Sequence, residues 1–500
     1  MTKILFWLDV DYIHFGIAKY LQEEENYELY AIFDFNHHLK KKFERQQVVE
    51  FKKSWFFWDY VSQKIGKYDI EYLQNIEKKY GIDLWKLAYS DRNFYKYNSF
   101  YKFNKNEILA LTEQECKFFE NVLDEINPDF LAMKMSDFHR NHLLVEICKA
   151  RGIKPLMLVE QRLGNRVSIV TDITKIDDYW KIDKEYPSRT LDEIREHVKK
   201  FDRYKQTKSV ESGGINLPIY KKIMPAIKWM TKTMDKEYKK SYLHYGVTRL
   251  KVLKVYSNFE LKRKFRKLFI DKKFVKEIPS NEKFVFFTMQ VEPERNVNLD
   301  APYFSNQSQV IINIAKSLPV EFKLYVKEHF NMKYRGWRSI STYKELMDLP
   351  NVVLLHPSLN PKDIFEKCSL VITISSTAGF EAALHNKPTI VFGDVVYSDI
   401  KSVQQVKSFE QLPDSIKKSL ETQIDVDGIN KFINILENNS FDFDLFGFRG
   451  LISRKFHDKG FVASSDTTVD ELDSFIKEHE NEFKILASEY VKKINQIKIK

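Results

Sequence analysis

The chain has 500 residues, more than one hydrophobic core ordinarily serves, so we expect two or more domains. With 43% hydrophobic and 30% charged residues, the composition is typical of a soluble globular protein. The 80 basic and 70 acidic residues give a net charge of +10, but no nucleic-acid-binding motif accompanies it, so we do not expect nucleic acid as a partner.

Hydropathy and cysteine spacing also limit the class of protein. There is no apolar run of about 18 residues and no signal-peptide pattern, so we expect a cytoplasmic protein. Lysine-rich patches at residues 40–42 and 221–276 could add peripheral contact with an anionic membrane at its inner face. The three cysteines are widely spaced, which supports neither a disulfide framework nor a zinc site. We expect no cofactor.

The N-terminal segment predicts a strand, a helix and a second strand. The strands cover residues 3–10 and 27–33, with a helix from Phe15 to Gln22 between them. This order indicates a Rossmann-like parallel sheet, whose ligands lie at the carboxyl ends of the strands. Asp11 and His14 follow the first strand at that end. Residues 44–105 are aromatic and charged, and we interpret them as inserted helices of unassigned role.

Two later strands of this half also end in ionisable residues. The strands are predicted at 129–135 and 154–159, and the residues that follow them are Asp137, His139, Arg140 and Glu160. Such a cluster suits proton transfer at a hydroxyl group, with Asp137 or Glu160 as the base and arginine holding a negative group of the substrate. The alternative is that His139 and Arg140 only cap a helix or pair locally.

A second array of strands and helices begins near residue 283. Residues 177–279 before it are lysine-rich and helical in pattern, and we interpret them as the helical end of the first domain with a linker. Strands of the second array are predicted at 284–289, 322–326, 352–355, 370–374 and 389–392. The predicted domains are therefore 1–279 and 280–440, facing each other across a cleft, with 441–500 as helices that brace the first.

The segment 370–394 reads LVITISSTAGFEAALHNKPTIVFGD, which predicts a strand, a turn of small residues and a helix. Free N–H groups at the helix start, with the hydroxyls of Ser375, Ser376 and Thr377, favour a phosphate group. Glu381, about one turn later, could accept hydrogen bonds from a ribose. The alternative is that the hydroxyls only cap the helix and that Glu381 pairs with a surface lysine.

Two basic side chains follow a neighbouring predicted strand. Lys327 and His329 stand at the end of the strand 322–326, where they could neutralise a leaving phosphate. The Asp9-Val10-Asp11 run matches an Asp-x-Asp pattern only in its letters. We therefore expect a mechanism that needs no metal ion.

The segment from Phe284 to about Val403 resembles the capsule polysaccharide biosynthesis proteins, which include bacterial capsule Kdo transferases. The resemblance rests on FVFFTMQVEPE, SLPVEFKLYVKEH and NVVLLHPSLNPKDIFEKCSLVITISSTAGFEAALHNKPTIVFGD. It implies the two-domain GT-B fold and a nucleotide-sugar donor, cytidine monophosphate-activated Kdo in the best-known members. It also implies the donor-binding residues, which are Gln290, Glu292, Lys327, His329, Ser375, Ser376, Thr377 and Glu381.

These observations predict a GT-B-like α/β glycosyltransferase that adds a sugar to a surface or capsular glycan or glycolipid. In this hypothesis Asp137, Glu160 and His329 are the catalytic candidates, and Asp11, His14, His139 and Arg140 lie on the acceptor side. Three alternatives stay open: a nucleotide-sugar 2-epimerase, a polymer phosphotransferase using a CDP-linked alcohol, and a non-catalytic glycan-binding assembly protein.

Overall fold

A computed structural model describes residues 1–24, 26–61, 67–137, 139–161, 163–177, 186–199, 241–279, 281–457 and 467–499. These residues form two compact units. The first holds the described parts of Met1–Ile173 and Ser440–Lys500, with residues 241–249, and the second holds those of Thr174–Phe201 and Leu250–Asn439. No helix in these ranges is long and apolar enough to cross a membrane.

The strands, in chain order, are β1 Thr2–Leu8, β2 Tyr27–Phe33, β3 Lys53–Phe56, β4 Phe130–Lys134, β5 Lys154–Glu160, β6 Arg166–Val170, β7 Phe284–Thr288, β8 Lys323–Lys327, β9 Val352–Leu355, β10 Leu370–Thr373, β11 Thr389–Val391, β12 Val403–Gln405 and β13 Phe441–Asp442. The α-helices are α1 Ile13–Leu21, α2 His37–Phe43, α3 Phe57–Tyr60, α4 Ile70–Tyr80, α5 Leu84–Ser90, α6 Lys105–Ile126, α7 His139–Ala150, α8 Leu191–Lys199, α9 Arg249–Lys273, α10 Arg295–Asn298, α11 Gln307–Ser317, α12 Ile340–Met347, α13 Pro361–Lys367, α14 Ala378–Leu384, α15 Leu412–Glu421, α16 Val426–Asn438, α17 Leu445–Phe456, α18 Val469–Glu478 and α19 Glu480–Lys498.

The first unit is built on a sheet with the strand order β13-β6-β5-β4-β1-β2-β3. Strands β5 to β3 in this order are parallel, and at one edge β6 pairs antiparallel with β5 and β13 pairs antiparallel with β6. The last helices complete the core of this unit. Helix α19 packs so closely on α1 that a Cβ atom on Gly16 would lie 2.2 Å from the ring of Phe483.

The second unit is built on a parallel sheet with the order β12-β11-β10-β7-β8-β9. The chain runs outward from β7 to β9 and then returns to the other side of β7 with β10, so the strand order reverses between β7 and β10. The first sheet reverses in the same way between β1 and β4. In open α/β sheets, ligands bind outside the carboxyl ends of the strands at such reversals.

The two predicted Rossmann-like parallel-sheet units of an α/β protein are confirmed. The structure differs from the prediction at the sheet edges: β3 lies within residues 44–105, for which the sequence predicts helices, and β6 was not predicted. Both are edge or near-edge strands without the continuous apolar run of a buried central strand.

The division between the units also differs from the predicted boundary at residue 279. From Leu250 onward, α9 belongs to the second unit. Arg266 on this helix donates hydrogen bonds to the backbone carbonyls of Gly336 (3.0 Å) and Trp337 (2.8 Å), which attach the helix there. Residues 200–240, predicted to be helical, lie outside the described residues.

Candidate functional site

The carboxyl ends of β7 and β10 are joined by a glutamine side chain. The side-chain amide of Gln290 lies 2.7 Å from the backbone nitrogen of Ser375 and 3.0 Å from that of Ser376, and with its oxygen turned towards them it accepts a hydrogen bond from each N–H group. The Ser375 hydroxyl donates to the backbone carbonyl of Asn296 (2.7 Å). Because these groups are used within the fold, Gln290 and Ser375 set the shape of the turn at the reversal point, and fewer donors are left for a phosphate than the sequence predicts.

Arg338, which the sequence did not predict as a functional residue, lies between two buried carboxylates at the strand ends of the second sheet. Arg338 pairs with Glu292 (2.7 Å) and Glu328 (2.9 Å) and donates to the backbone carbonyl of Gln290 (2.6 Å). Tyr343 donates to Glu328 at 2.8 Å. Glu292 is therefore one member of a buried network that braces the strand ends. The sequence contained an indication of this arginine, because two acidic residues that follow neighbouring strands need a cation beside them if they are buried.

Lys327 is the last residue of β8 and is only 7% exposed. Its ammonium makes no hydrogen bond or ion pair with any residue that the structure describes. The neighbouring Glu328 does not pair with it, because both carboxylate oxygens accept hydrogen bonds from other groups. Burial lowers the pKa of Lys327 to about 8, against the opposing charge of Glu328. A largely buried cation without a partner is costly in free energy, which makes Lys327 a candidate for pairing with an anion.

His329 follows Lys327 by two residues and begins a short 3₁₀ helix, Phe330–Tyr334. Its Nδ1 atom accepts a hydrogen bond from the backbone N–H of Asn331 at 3.2 Å. A neutral imidazole with Nδ1 as an acceptor carries its proton on Nε2, so this atom is a hydrogen-bond donor. The ring stacks on Phe330, which fixes its plane.

The other predicted residues of this turn and its helix differ in whether their side chains can still donate a hydrogen bond to a ligand. The Ser376 hydroxyl accepts from the N–H of Ala378 (3.2 Å), which leaves its own hydrogen to donate. The Thr377 hydroxyl lies 3.4 Å from Glu381 Oε1, to which it donates. Glu381 is exposed on the short helix α14.

Close packing behind this turn yields a test of its rigidity. A Cβ atom on Gly379 would lie 2.5 Å from the Tyr397 hydroxyl, which donates to the Ser376 carbonyl, and 2.9 Å from Thr389 Cγ2. We expect Gly379→Ala to lower the free energy of unfolding by about 1–3 kcal/mol, measured by urea titration, because the added methyl group overpacks the core.

The matched control for Gly379→Ala is Gly450→Ala on α17. There the nearest atom to an added Cβ is the end of the Arg454 side chain, at 3.5 Å. We expect this variant to be neutral or stabilising by up to about 1 kcal/mol, because alanine favours helix over glycine. Equal stability of both variants would show that the turn is not tightly packed.

The first sheet carries its own polar cluster where β1 and β4 meet. Lys134 at the end of β4 forms an ion pair with Asp9 (2.6 Å) after β1. Burial alone would raise the pKa of Asp9, but the charge of Lys134 outweighs it and lowers the pKa to about 2. Burial and the charge of Asp9 raise the pKa of Asp11 to about 7.

The backbone fixes the position of Asp11. Its N–H group donates to Asp9 (3.1 Å), and its carboxylate accepts from the N–H of Ile13 (3.1 Å). The next residue, Tyr12, has a φ angle of 57°, a strained value for a bulky residue, and its side chain is buried. Strain of this kind persists where the surroundings enforce one geometry, and here that geometry directs a carboxyl group to the strand ends.

The predicted bases Asp137 and Glu160 lie at the same edge of the first sheet. Lys134 is 3.9 Å from Asp137 Oδ2, and the amide of Asn141 donates to Asp137 Oδ1 at 3.4 Å. Glu160 pairs with Arg449 of α17 at 3.3 Å. The charge of Arg449 also acts on Asp11, so the structure brings Asp11, Asp137 and Glu160 to one cluster.

The other acceptor-side candidates are buried in the fold. His14 is 2.8 Å from the Tyr490 hydroxyl of α19, and burial lowers its pKa to about 3. Helix α7 begins at His139, and both His139 and Arg140 are buried in its first turn. His139 is fully buried against Phe94, and Arg140 forms two hydrogen bonds with Asp34. The partner of Arg140 is therefore an aspartate 106 residues earlier in the chain, not the local partner that the sequence left open.

The buried carboxyl group of Glu115, which lies beside His139, predicts that the stability of the protein depends on pH. Glu115 Oε2 lies 3.1 Å from His139 Nδ1, and burial raises the pKa of Glu115 to about 8. The unfolded chain releases this proton above its ordinary pKa of 4.5, so folding loses up to about 1.4 kcal/mol per pH unit as the pH rises from about 4.5 to 8. We expect Glu115→Gln to become more stable relative to the wild type across that range, measured by urea unfolding.

The exposed Glu125→Gln on the same helix is the control for this measurement. Glu125 pairs only at the surface with Lys53. We expect its stability to follow the wild type at every pH. A parallel decline of Glu115→Gln and the wild type would assign the pH dependence to other groups.

Sequence comparison identifies the segment that carries the second sheet. Residues 214–413 match the family described as "Capsule polysaccharide biosynthesis protein". The resemblance to capsule polysaccharide biosynthesis proteins is confirmed. The matched range includes β7 to β12 and with them Lys327, His329 and the turn at the reversal point. No curated protein sequence matches the chain.

Solved structures show a distant likeness to much of the chain. The UDP-GlcNAc 2-epimerase from Methanocaldococcus jannaschii is 11% identical, covers 87% of this chain and 100% of its own, and has a TM-score of 0.25. The Thermosulfurimonas dismutans KpsC beta Kdo 2,7 transferase is 12% identical, covers 68% of this chain and 89% of its own, and has a TM-score of 0.31. Likeness at this level supports no argument about activity.

Proposed function

We propose that the protein is a glycosyltransferase that moves a sugar from a nucleotide-activated donor to a surface or capsular polysaccharide. The observation that carries this proposal is Lys327, a buried ammonium without a partner among the described residues, beside the reversal point of the second sheet. It lies within the segment that matches the capsule polysaccharide family. A fixed cation there can neutralise the phosphate that leaves when the sugar is transferred.

In the proposed reaction, the bond between the sugar and the phosphate breaks and the acceptor oxygen forms the new glycosidic bond. The departing nucleotide keeps the electron pair, and its charge is stabilised by Lys327, by the Nε2–H group of His329 and by the Ser376 hydroxyl. Glu381 would accept hydrogen bonds from the ribose. The proposed reaction also needs a base, and a carboxylate is proposed to take the proton of the acceptor hydroxyl.

We propose Asp11 as that carboxylate, ahead of Asp137 and Glu160. Its pKa of about 7 makes it a stronger base than an ordinary carboxylate while leaving it largely ionised above neutral pH. Asp137 and Glu160 stay candidates at the same edge of the sheet. The resemblance favours a CMP-linked, Kdo-like donor and a glycan or glycolipid acceptor.

A thermal-shift panel of CMP, CDP, UDP, GDP and their sugar forms tests this proposal. A nucleotide that binds only the folded protein raises its melting temperature, by an amount that grows with concentration. A shift with CMP and CMP-sugars supports the Kdo-like donor, and a shift with UDP-sugars redirects the assay to hexose donors. The absence of any shift contradicts the proposal and favours a glycan-binding assembly protein.

Product analysis then separates the remaining enzyme classes. A transferase releases free nucleotide at a rate that rises when acceptor is added. Conversion of the donor sugar to its epimer without any acceptor would instead show a nucleotide-sugar 2-epimerase. Transfer of an alcohol phosphate from a CDP-linked donor would show a phosphotransferase.

A further inference from the structure

Helix α9 exposes an apolar stripe along its length. Leu250 is 80% exposed, Leu261 is 57% exposed, and Phe265 and Leu268 are each 64% exposed. Leu261, Phe265 and Leu268 are spaced four and three residues apart, and Leu250 lies three helical turns before Leu261, so the four side chains share one face. Large apolar side chains on one exposed helix face are a mark of an interaction surface.

The opposite face of α9 is attached to the second unit. Arg266 donates to the carbonyls of Gly336 and Trp337, and Ile270 is only 1% exposed within the core of that unit. His356 and Asp271 also make contact, at 3.1 Å. The helix is therefore fixed on one side, and the apolar stripe lies on the other.

Charge indicates what the stripe contacts. The helix contains ten basic residues and two acidic ones, Glu260 and Asp271, and both acids are already paired, with Arg263 and Lys267. Exposed lysines, among them Lys254 and Lys264, project close to the stripe. Apolar side chains flanked by lysines match a bilayer surface, where the apolar groups enter the boundary with the acyl chains and the ammonium groups meet anionic lipid headgroups.

We propose that α9 is a docking surface for an anionic lipid bilayer, with the stripe Leu250, Leu261, Phe265 and Leu268 inserted at the interface. A second copy of the chain or a soluble acidic protein would pair with the lysines but would not require lipid. This inference does not depend on the proposed transferase activity, because binding is measured without nucleotide or acceptor.

Vesicle co-sedimentation of the full chain tests the proposal. We expect binding to vesicles of equimolar phosphatidylglycerol and phosphatidylcholine, weaker binding at high salt, and little binding to phosphatidylcholine alone. We expect the variant Leu261→Ser/Phe265→Ser/Leu268→Ser to have an affinity for these vesicles that is lower by a factor of about ten or more. In the variant Lys254→Glu/Lys264→Glu, the affinity for anionic vesicles should fall at least roughly fivefold for each lysine replaced.

Val320→Ser is the matched control, because Val320 is fully exposed on the same unit but outside α9. It should bind vesicles as the wild type does, and unchanged melting temperatures of all variants would show that they fold. Two results would overturn the proposal: no preference of the wild type for anionic vesicles, or a wild-type dimer in lipid-free light scattering that the triple serine variant dissociates.

Discussion

Replacing Lys327 with methionine is expected to abolish nucleotide binding while making the free protein more stable. The Lys327 side chain is only 7% exposed and has no partner among the described residues, so its replacement by an apolar side chain relieves a desolvation penalty of about 1–3 kcal/mol. The same removal takes away the cation proposed to hold the donor phosphate, and we expect kcat/KM to fall by roughly 10²- to 10³-fold. Urea unfolding and nucleotide thermal shifts measure the two effects separately.

The pH dependence gives this prediction a sign. Because burial lowers the pKa of Lys327 to about 8, the folded protein binds this proton less tightly than the unfolded chain does. The stability gained in Lys327→Met is therefore complete below about pH 8 and disappears as the pH rises towards the ordinary lysine pKa. Nucleotide affinity of the wild type should fall as the pH rises through about 8.

Lys323→Met is the matched control for Lys327→Met. Lys323 begins the same strand at its amino end, is exposed and pairs with Glu282. We expect it to keep nucleotide binding and to change stability by less than about 1 kcal/mol. If nucleotides stabilised Lys327→Met as much as the wild type, Lys327 would have no part in the donor site.

Asp11→Asn is expected to lower kcat by about 10²- to 10⁴-fold with little change in donor binding, because the carboxylate is proposed to accept the proton of the acceptor hydroxyl. A base with a pKa of about 7 is protonated at acid pH, so the wild-type rate should rise as the pH increases through about 7. The residual rate of Asp11→Asn should lack this rise. Steady-state rates between about pH 5 and 9 measure both effects.

Comparison with Asp137→Asn and Glu160→Gln decides between the three carboxylates of the cluster. The base is the residue whose replacement removes the rise in rate between acid and neutral pH. If Asp137→Asn or Glu160→Gln removed this rise while Asp11→Asn kept it, the assignment of Asp11 as the base would be wrong. Asp129→Asn is the control. Asp129 lies just before β4, at the amino ends of the strands and so away from the cluster, and it accepts a hydrogen bond from the Lys3 N–H group.

The roles of individual residues at the second sheet show where sequence reasoning stops. The family resemblance implies Gln290 and Glu292 as donor contacts, and the strand-turn-helix pattern also predicts Ser375. The structure shows that these three are paired with the fold itself, through the turn at the reversal point and through Arg338. Lys327 follows the same pattern in the sequence but has no such partner in the part of the chain that the structure describes. Only the three-dimensional contacts separate a bracing residue from one that is available to a ligand.

At the first sheet, burial made the same distinction. His14, His139 and Arg140 lie near strand ends in sequence, yet each is enclosed by aromatic or acidic groups from distant parts of the chain. Asp11 and Asp137 are equally polar in sequence. For Asp11 the surroundings raise the pKa to about 7, because the carboxyl group is buried and lies beside the charge of Asp9.

The sequence by itself determined the two parallel sheets and the strand ends that carry polar groups, because buried strands require continuous apolar runs and the polar residues after them are local features. It also determined the resemblance to capsule polysaccharide proteins, which rests on linear motifs. The tertiary structure alone decided the edge strands, the attachment of α9 to the second unit and the partner of each charged side chain. Those features depend on contacts between residues far apart in the chain, and a sequence pattern does not contain the distances between them.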